Sequence, residues 1–366
     1  MTKIMVLHPE GSLDTNVNLA GLLTILCEQG YQVHYYGPGV PGVSPVAPHP
    51  GVTIVPVADN HVSLIDTYDL IIGIDRDGII FAASIARHFK VPCGFISYEI
   101  DFAAESSAAF KQPEIDACAG IAFAVCQGAE RSRQLARENH LDPGKIIDIP
   151  VAGRGLQRGP RQTHLHEALD LPADLKIALY MGSLAPDWAM VDELIDSTRD
   201  WDDSWMLVLH SRHVMPELVE ATQRRHAGTS RFRFTPRSGL PWEGLGPLVK
   251  SADLGVALYR PAVHNVQGHD GLNLHYLGLS SGKISTYLQH GVPVVVNDIG
   301  EISAAVDGEG LGIHVHALEE LAGRLRSTDR AVLESWRAGC YRYFERHLDL
   351  NSRVQPLLEV IRALTS

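Results

Sequence analysis

Gly278-Leu279-Ser280-Ser281-Gly282-Lys283-Ile284-Ser285-Thr286-Tyr287-Leu288-Gln289-His290-Gly291-Val292-Pro293-Val294-Val295-Val296-Asn297 is the stretch on which the fold of this chain turns. Two small residues lead into a helical pattern, a Gly-x-Pro turn ends it, and a valine-rich run follows. A strand without polar alternation is covered on both faces, as in a parallel sheet layered by helices. Lys283 falls in the first helical turn, where the helix dipole favours anions and disfavours a cation. An anion at the helix start resolves that conflict: Lys283 neutralises it, and the N–H groups of Ser281, Gly282 and Lys283 cradle it. A diphosphate is the natural candidate.

The same alternation extends outward in both directions. Toward the N-terminus, Lys3 to His8, Tyr31 to Tyr36, Val52 to Val57, Leu70 to Ile74, Cys93 to Ser97 and Gly120 to Val125 read as strands. Leu19 to Gln29, Ile79 to Phe89 and Ala129 to Asn139 read as helices, the first with leucines at positions 19, 22, 23 and 26. The pattern lapses between about 150 and 175, where glycine and charge suit a linker, and restarts at Ile177 to Met181. The expected fold class is therefore α/β, with one sheet over 1–155 and a second over 156–345. In such sheets ligands sit beyond the carboxyl ends of the strands, so two of them face to face predict a deep cleft.

Composition narrows the function. With 366 residues the chain exceeds what one hydrophobic core usually supports. The net charge of −12 disfavours nucleic acid as a partner, because phosphate backbones demand a basic face. Basic clusters such as Arg224-Arg225-His226 are read first as solvated surface, with weak contact to an anionic membrane surface as the lesser reading. No apolar run is long enough to cross a bilayer, and the N-terminus reads as a strand, not an export signal. Five scattered cysteines read as buried thiols in a reducing compartment, hence a cytoplasmic expectation. Eighteen histidines include no His-x3-His or His-Glu-x2-His pattern on a helix, so no metal is expected, and no cofactor either. The oligomeric state is not readable from the sequence.

The segment Ser281 to Asn297, followed by Asp298-Ile299-Gly300-Glu301-Ile302 and Asp307-Gly308-Glu309-Gly310-Leu311-Gly312, resembles the C-terminal signature of GT-B glycosyltransferases. In these enzymes two Rossmann-like domains face each other across a cleft and hold a nucleotide-sugar donor. Tyr180-Met181-Gly182-Ser183-Leu184 is similar to the first strand of the family's donor domain, and Ser251-Ala252-Asp253-Leu254 through Tyr259 to its S-A-D strand. The resemblance implies a donor site around Gly182, Ser183, Tyr259, Ser281, Gly282, Lys283 and Glu301. It also implies a terminal helix over 346–366 crossing back onto the first domain. Two departures stand out. The Glu-x7-Glu pair of the group 1 glycosyl transferases aligns with Gly278 and Thr286, and the usual Arg and Lys after the first donor-domain strand give way to Ala185-Pro186-Asp187-Trp188. Arg212 is the candidate for the missing positive charge. Asn273 and His275, in the long polar loop that also holds His264, Asn265 and His269, are candidate ligands of donor hydroxyls.

On the acceptor side, Tyr98 and Glu99 align with the family's His-Asp pair. Glycosyl transfer passes through an oxocarbenium-like transition state, and inversion needs a base on the acceptor hydroxyl. Glu99 and Asp101 are the candidate catalytic carboxylates. Gly11 and Ser12, in the loop after the first strand, and Asp75, in the polar loop Asp75-Arg76-Asp77-Gly78, are expected on the acceptor side. The expected function is transfer of a sugar from a nucleoside-diphosphate donor to a glycan, lipid-linked or small-molecule acceptor. Two alternatives accompany it, a nucleotide-sugar epimerase and a degenerate transferase kept as a binding subunit, the latter favoured by the missing Glu pair.

Overall fold

The computed structural model describes residues 2–11, 13, 16–38, 48–57, 62–185, 187–211, 215–236, 244–260 and 271–366. They form two compact units. The first takes in residues up to Arg154, residues 271–273 and Leu348–Ser366; the second runs from Gly155 to residue 260 and from Leu274 to His347.

Among the described residues the first unit has a parallel sheet of β1 (Lys3–Leu7), β2 (Gln32–Pro38), β3 (Val52–Val57), β4 (Leu70–Ile74), β5 (Cys93–Ile96), β6 (Phe123–Cys126) and β7 (Ile146–Asp148). Their order is β3-β2-β1-β4-β5-β6-β7. The second unit has β8 (Lys176–Gly182), β9 (Trp205–Ser211), β10 (Phe232–Phe234), β11 (Leu254–Ala257), β12 (Val294–Val296) and β13 (Gly312–His314), also all parallel. Their order is β10-β9-β8-β11-β12-β13. Both are doubly wound. The direction of winding reverses between β1 and β4 in one sheet and between β8 and β11 in the other, and a crevice opens at such switch points beyond the carboxyl ends of the strands.

Local sequence accounts for these elements. The strands β1, β4, β5, β6 and β12 are buried almost throughout, as unbroken apolar runs require. The helix Val17–Glu28 starts where the Asn16 side chain accepts the Leu19 N–H, and it buries Leu19, Leu22, Leu23 and Leu26. The same core takes Leu350, Val354, Leu357, Leu358 and Ile361 from the last segments of the chain. The helix Gln355–Thr365 is thus a core element of the first unit. Arg154 ties the preceding helix Leu350–Arg353 to Val17–Glu28, with two bonds to Glu28 and one to Asn351.

Two local expectations change. Asp75-Arg76-Asp77-Gly78 is not a loop but the first turn of the helix Asp75–Phe89, which leaves β4 with no intervening residue. Asp75 makes the turn with φ of +53°, a left-handed conformation that costs a non-glycine residue about 1–3 kcal/mol. The helix can start so close because Gly78 lies against the Leu7 carbonyl, where a Cβ would come within 2.6 Å. The strand expected from Gly120 begins only at Phe123. Gly120 belongs to the turn leaving the helix Ala108–Cys118, in which the Ile121 N–H donates to Cys118 O at 3.3 Å.

Candidate functional site

At the β8/β11 switch point the sheet ends in Gly182 and Tyr259. The helix Gly282–Gln289 fits there because Gly255, on β11, has no side chain: a Cβ would meet the Tyr287 ring at 2.3 Å. Tyr287 uses that opening to reach β8, where its hydroxyl donates to Leu179 O at 2.7 Å and accepts the Met181 N–H at 3.0 Å. The N-terminus of the helix is therefore held at the carboxyl end of the sheet. Ser281 caps it, its hydroxyl accepting the Ile284 N–H and bonding Tyr259 Oη at 2.9 Å. The N–H groups of Gly282 and Lys283 belong to the first turn and have no acceptor within the helix.

Lys283 is the anomaly of this site. Its side chain is half-buried overall, but the ammonium nitrogen is buried and, among the described residues, has no hydrogen-bond partner. It lies 4.0 Å over the Tyr180 ring and 4.8 Å over the Tyr259 ring. Two aromatic faces attract a cation but accept no N–H bond of ordinary strength. Burial therefore pulls the pKa of Lys283 down to about 7. Gly182 makes room for it: with φ of +140°, this glycine would place a Cβ 3.3 Å from Nζ.

The two tyrosines are themselves fixed. Tyr180 Oη donates to Ser183 O at 2.6 Å, and the Ser183 hydroxyl accepts the Ala185 N–H. Tyr259 stacks on Trp188 with centroids 6.0 Å apart. Its backbone N–H and C=O are both bonded by the Asn297 side chain, just beyond the last β11/β12 pair, Ala257 with Val296.

Glu301 opens the helix Glu301–Glu309 after Gly300, whose φ is +89°. Its carboxylate leans on Gly278: a Cβ at Gly278 would start 3.4 Å from Glu301 Oε1. A carboxylate thus stands beside position 278, although the chain has a glycine there. Thr286, the other position of the missing pair, is buried and donates to Gly282 O. His275 is exposed, its ring 4.7 Å from that of Tyr276. Ser12, Arg212 and the loop residues 261–270, with His264, Asn265 and His269, lie outside the described residues.

The first unit carries an acidic cluster at its own switch point. Asp75 Oδ1 accepts the N–H of Tyr98 at 2.6 Å and of Glu99 at 2.9 Å. Burial still pushes its carboxyl up to about 8, although a fifth of the side chain remains open. His8, at the end of β1, is buried, and its pKa falls to about 4. Tyr35 Oη donates to Gly11 O at 2.9 Å and lies 3.0 Å from His8 Nδ1. His8 Nε2 lies 3.9 Å from Asp75 Oδ2. Gly11 covers that nitrogen so closely that a Cβ would fall 1.8 Å from it. Glu10 is raised to about 7, by burial first and then by sharing a hydrogen bond with Asp77.

Of the residues expected here, Tyr98 turns inward, its hydroxyl donating to Asn18 Oδ1 at 2.8 Å. Glu99 points its side chain outward, while its backbone C=O accepts from the Ser97 hydroxyl. Asp101 is half-buried nearby, close enough to Asp75 and Glu10 to raise both. Asn273 packs in this unit and spends its side chain on the turn after Tyr98. Its Oδ1 accepts from the Ile100 N–H and from Arg131, and its Nδ2 donates to Ile100 O. A donor hydroxyl has little of that amide left to bond. His8 and Glu10 carry no sequence signal of their own, because a histidine at the apolar end of β1 looks like more strand.

A family model described as "Glucosyltransferase 3-like, C-terminal domain" matches residues 263–346. Solved structures share the fold over nearly the whole chain. Sucrose-phosphate synthase from Thermosynechococcus elongatus is 14% identical with a TM-score of 0.73, over 100% of this chain and 99% of that one. The Anabaena protein HepE in complex with UDP-glucose is 13% identical with a TM-score of 0.73, over 99% and 100%. The E. coli structure described as trehalose-6-phosphate bound with UDP-2-fluoro glucose is 11% identical with a TM-score of 0.67, over 100% and 99%. No curated protein sequence matches the chain. The fold is that of the GT-B glycosyltransferases, and these findings favour neither the epimerase nor the degenerate binding subunit. Among the described residues no helix is long and apolar enough to cross a membrane.

Proposed function

We propose that this chain, by its fold a GT-B glycosyltransferase, takes its sugar from a uridine diphosphate donor whose diphosphate binds at Lys283. The observation that carries the reading is the Lys283 ammonium, buried, without a hydrogen-bond partner among the described residues, and poised at the N-terminus of Gly282–Gln289. An anion there receives the first-turn N–H groups and a cation in a water-poor setting, where such contacts are strongest. The UDP and UDP-sugar complexes of HepE and the glucosyltransferase-like C-terminal segment support uridine as the base and glucose as the sugar. Glu301 takes the part of the carboxylate that the group 1 pattern places at 278 and accepts from donor hydroxyls.

In the reaction the bond from the anomeric carbon to the diphosphate oxygen breaks, and a bond to the acceptor oxygen forms. Glu99 takes the acceptor proton, and Lys283 with the helix N-terminus holds the charge that collects on the leaving UDP. The acceptor is a sugar-containing molecule.

Thermal unfolding with a panel of UDP-, GDP-, dTDP- and CMP-sugars tests the donor. A ligand at a hundred times its Kd stabilises the native state by about 2.7 kcal/mol. That is a rise of several degrees, at roughly 2–4 °C per kcal/mol for a unit of this size. UDP-glucose is expected to give it. Stabilisation by another nucleotide alone changes the base, and no stabilisation by any of the four rejects the site.

A further inference from the structure

The edge strand β13 carries a histidine at its last residue, and another stands two positions on. Residues two apart on an extended chain face the same side, so His314 and His316 bring their rings together, with centroids 4.6 Å apart. The loop leaving the neighbouring strand β12 brings Asp298 between them. Its carboxylate lies 2.8 Å from His314 Nε2 and 3.2 Å from His316 Nδ1. A fourth residue stands behind: Asp307 Oδ2 is 2.7 Å from His314 Nδ1.

From this constellation we infer that the second unit has a site for one divalent transition-metal ion, ligated by His314 Nε2, His316 Nδ1 and the Asp298 carboxylate. The ligand atoms lie within 4.8 Å of one another, so a shift of an ångström or so closes them onto a common ion. Metal–nitrogen bonds near 2.0–2.1 Å ask for no more. Asp307 acts as the outer carboxylate that holds a ligating imidazole by its other N–H, fixing the ring and its tautomer. Two imidazoles and one carboxylate suit Zn²⁺, Co²⁺, Ni²⁺ or Cu²⁺, not Mg²⁺ or Ca²⁺, which prefer oxygen.

Without metal, both ring nitrogens of His314 face carboxylate oxygens, which only accept hydrogen bonds, so both carry hydrogen. The ion takes the place of the Nε2 hydrogen, which leaves as a proton to solvent. Access is open, since the side chains of Asp298 and His316 are 63% and 70% exposed. Water fills the remaining positions.

The site would act as a clip. It ties the β12 loop to the sheet edge directly after Asn297, the residue that holds the Tyr259 backbone. It also borders a cavity of about 540 Å³ lined by Asn297, His316, Glu193 and Asp196.

The full chain, stripped with a chelator and dialysed, is titrated with CoCl₂ and followed by its visible d–d absorption, then with ZnCl₂ by calorimetry. One equivalent of Co²⁺ is expected, displaced by Zn²⁺, together with a rise in melting temperature. His316→Ala removes an exposed side chain and should leave the metal-free melting temperature unchanged, while the Co²⁺ band disappears. Asp307→Asn should weaken Zn²⁺ binding about 10–100-fold, the usual effect of losing an outer carboxylate. No stoichiometric Co²⁺ band in the parent chain overturns the site. So does an identical band and affinity in both His316→Ala and Asp298→Asn, which would place the ion among the other histidines.

Discussion

Lys283→Met is expected to weaken UDP binding by about 1.5–3 kcal/mol, roughly ten- to a hundredfold, and at the same time to make the protein more stable. The loss follows from removing the buried Lys283 ammonium, the cation proposed to face the diphosphate. The gain follows from linkage. The pKa of Lys283 falls from 10.5 to about 7 on folding because burial penalises the charged form. Below pH 7 the folded chain carries the whole penalty, and it is relieved as pH rises from 7 to 10.5, where the unfolded chain binds the extra proton. A methionine of similar shape has no charge to desolvate. Its advantage is thus largest at pH 6–7, about 1–3 kcal/mol, and disappears at high pH. UDP affinity of the parent chain should also fall as pH rises above 7, because the anion binds the protonated amine. Calorimetry in buffers of different ionisation enthalpy would show proton uptake near pH 8. Equal UDP affinity in both chains, or a less stable Met variant at pH 6, removes the phosphate from Lys283.

Glu99→Gln is expected to lower turnover about 10²–10⁴-fold and leave UDP-sugar binding intact. The substitution keeps shape and hydrogen bonding but removes basicity. The Glu99 peptide is held by Asp75, which accepts its N–H at 2.9 Å, so the side chain starts from a fixed point. Asp75 is the rival, since its carboxyl at about 8 could itself serve as a base near neutrality. A base must be ionised to act. If Asp75 takes the proton, turnover climbs with pH through about 8, and Asp75→Asn abolishes that rise. With Glu99 as base, Asp75→Asn acts by loosening the turn at Tyr98 and Glu99, and Glu99→Gln is the more damaging change. Near-normal turnover in Glu99→Gln rejects the assignment.

The two-sheet architecture was legible because strands buried on both faces write themselves as unbroken apolar runs: β4 is Leu-Ile-Ile-Gly-Ile and β12 is Val-Val-Val. The lysine at the start of Gly282–Gln289 was legible for a related reason, since it contradicts a dipole that any helix has. What stayed hidden depends on contacts between distant residues. Nothing near Asp75 announces that the chain turns from strand to helix within one left-handed residue, because the permission comes from Gly78 meeting Leu7. Nothing near Gly278 tells that Glu301 lies against it. His314 and His316 stand two apart, a spacing that places a metal pair on one face only if the segment is extended, which the sequence around them does not announce.

The placement of Leu350, Val354, Leu357, Leu358 and Ile361 in the core of the first unit has a consequence for how the protein is made. A ribosome delivers residues up to Arg154 early, but the last part of their core follows only after the entire second sheet. At about 5–20 residues per second, that is a delay of roughly ten to forty seconds. During it the helix Val17–Glu28 packs on its sheet but lacks the part of its cover that Leu350, Val354, Leu357, Leu358 and Ile361 supply, while the second unit already has nearly all of its chain. The half synthesised first is thus the half completed last.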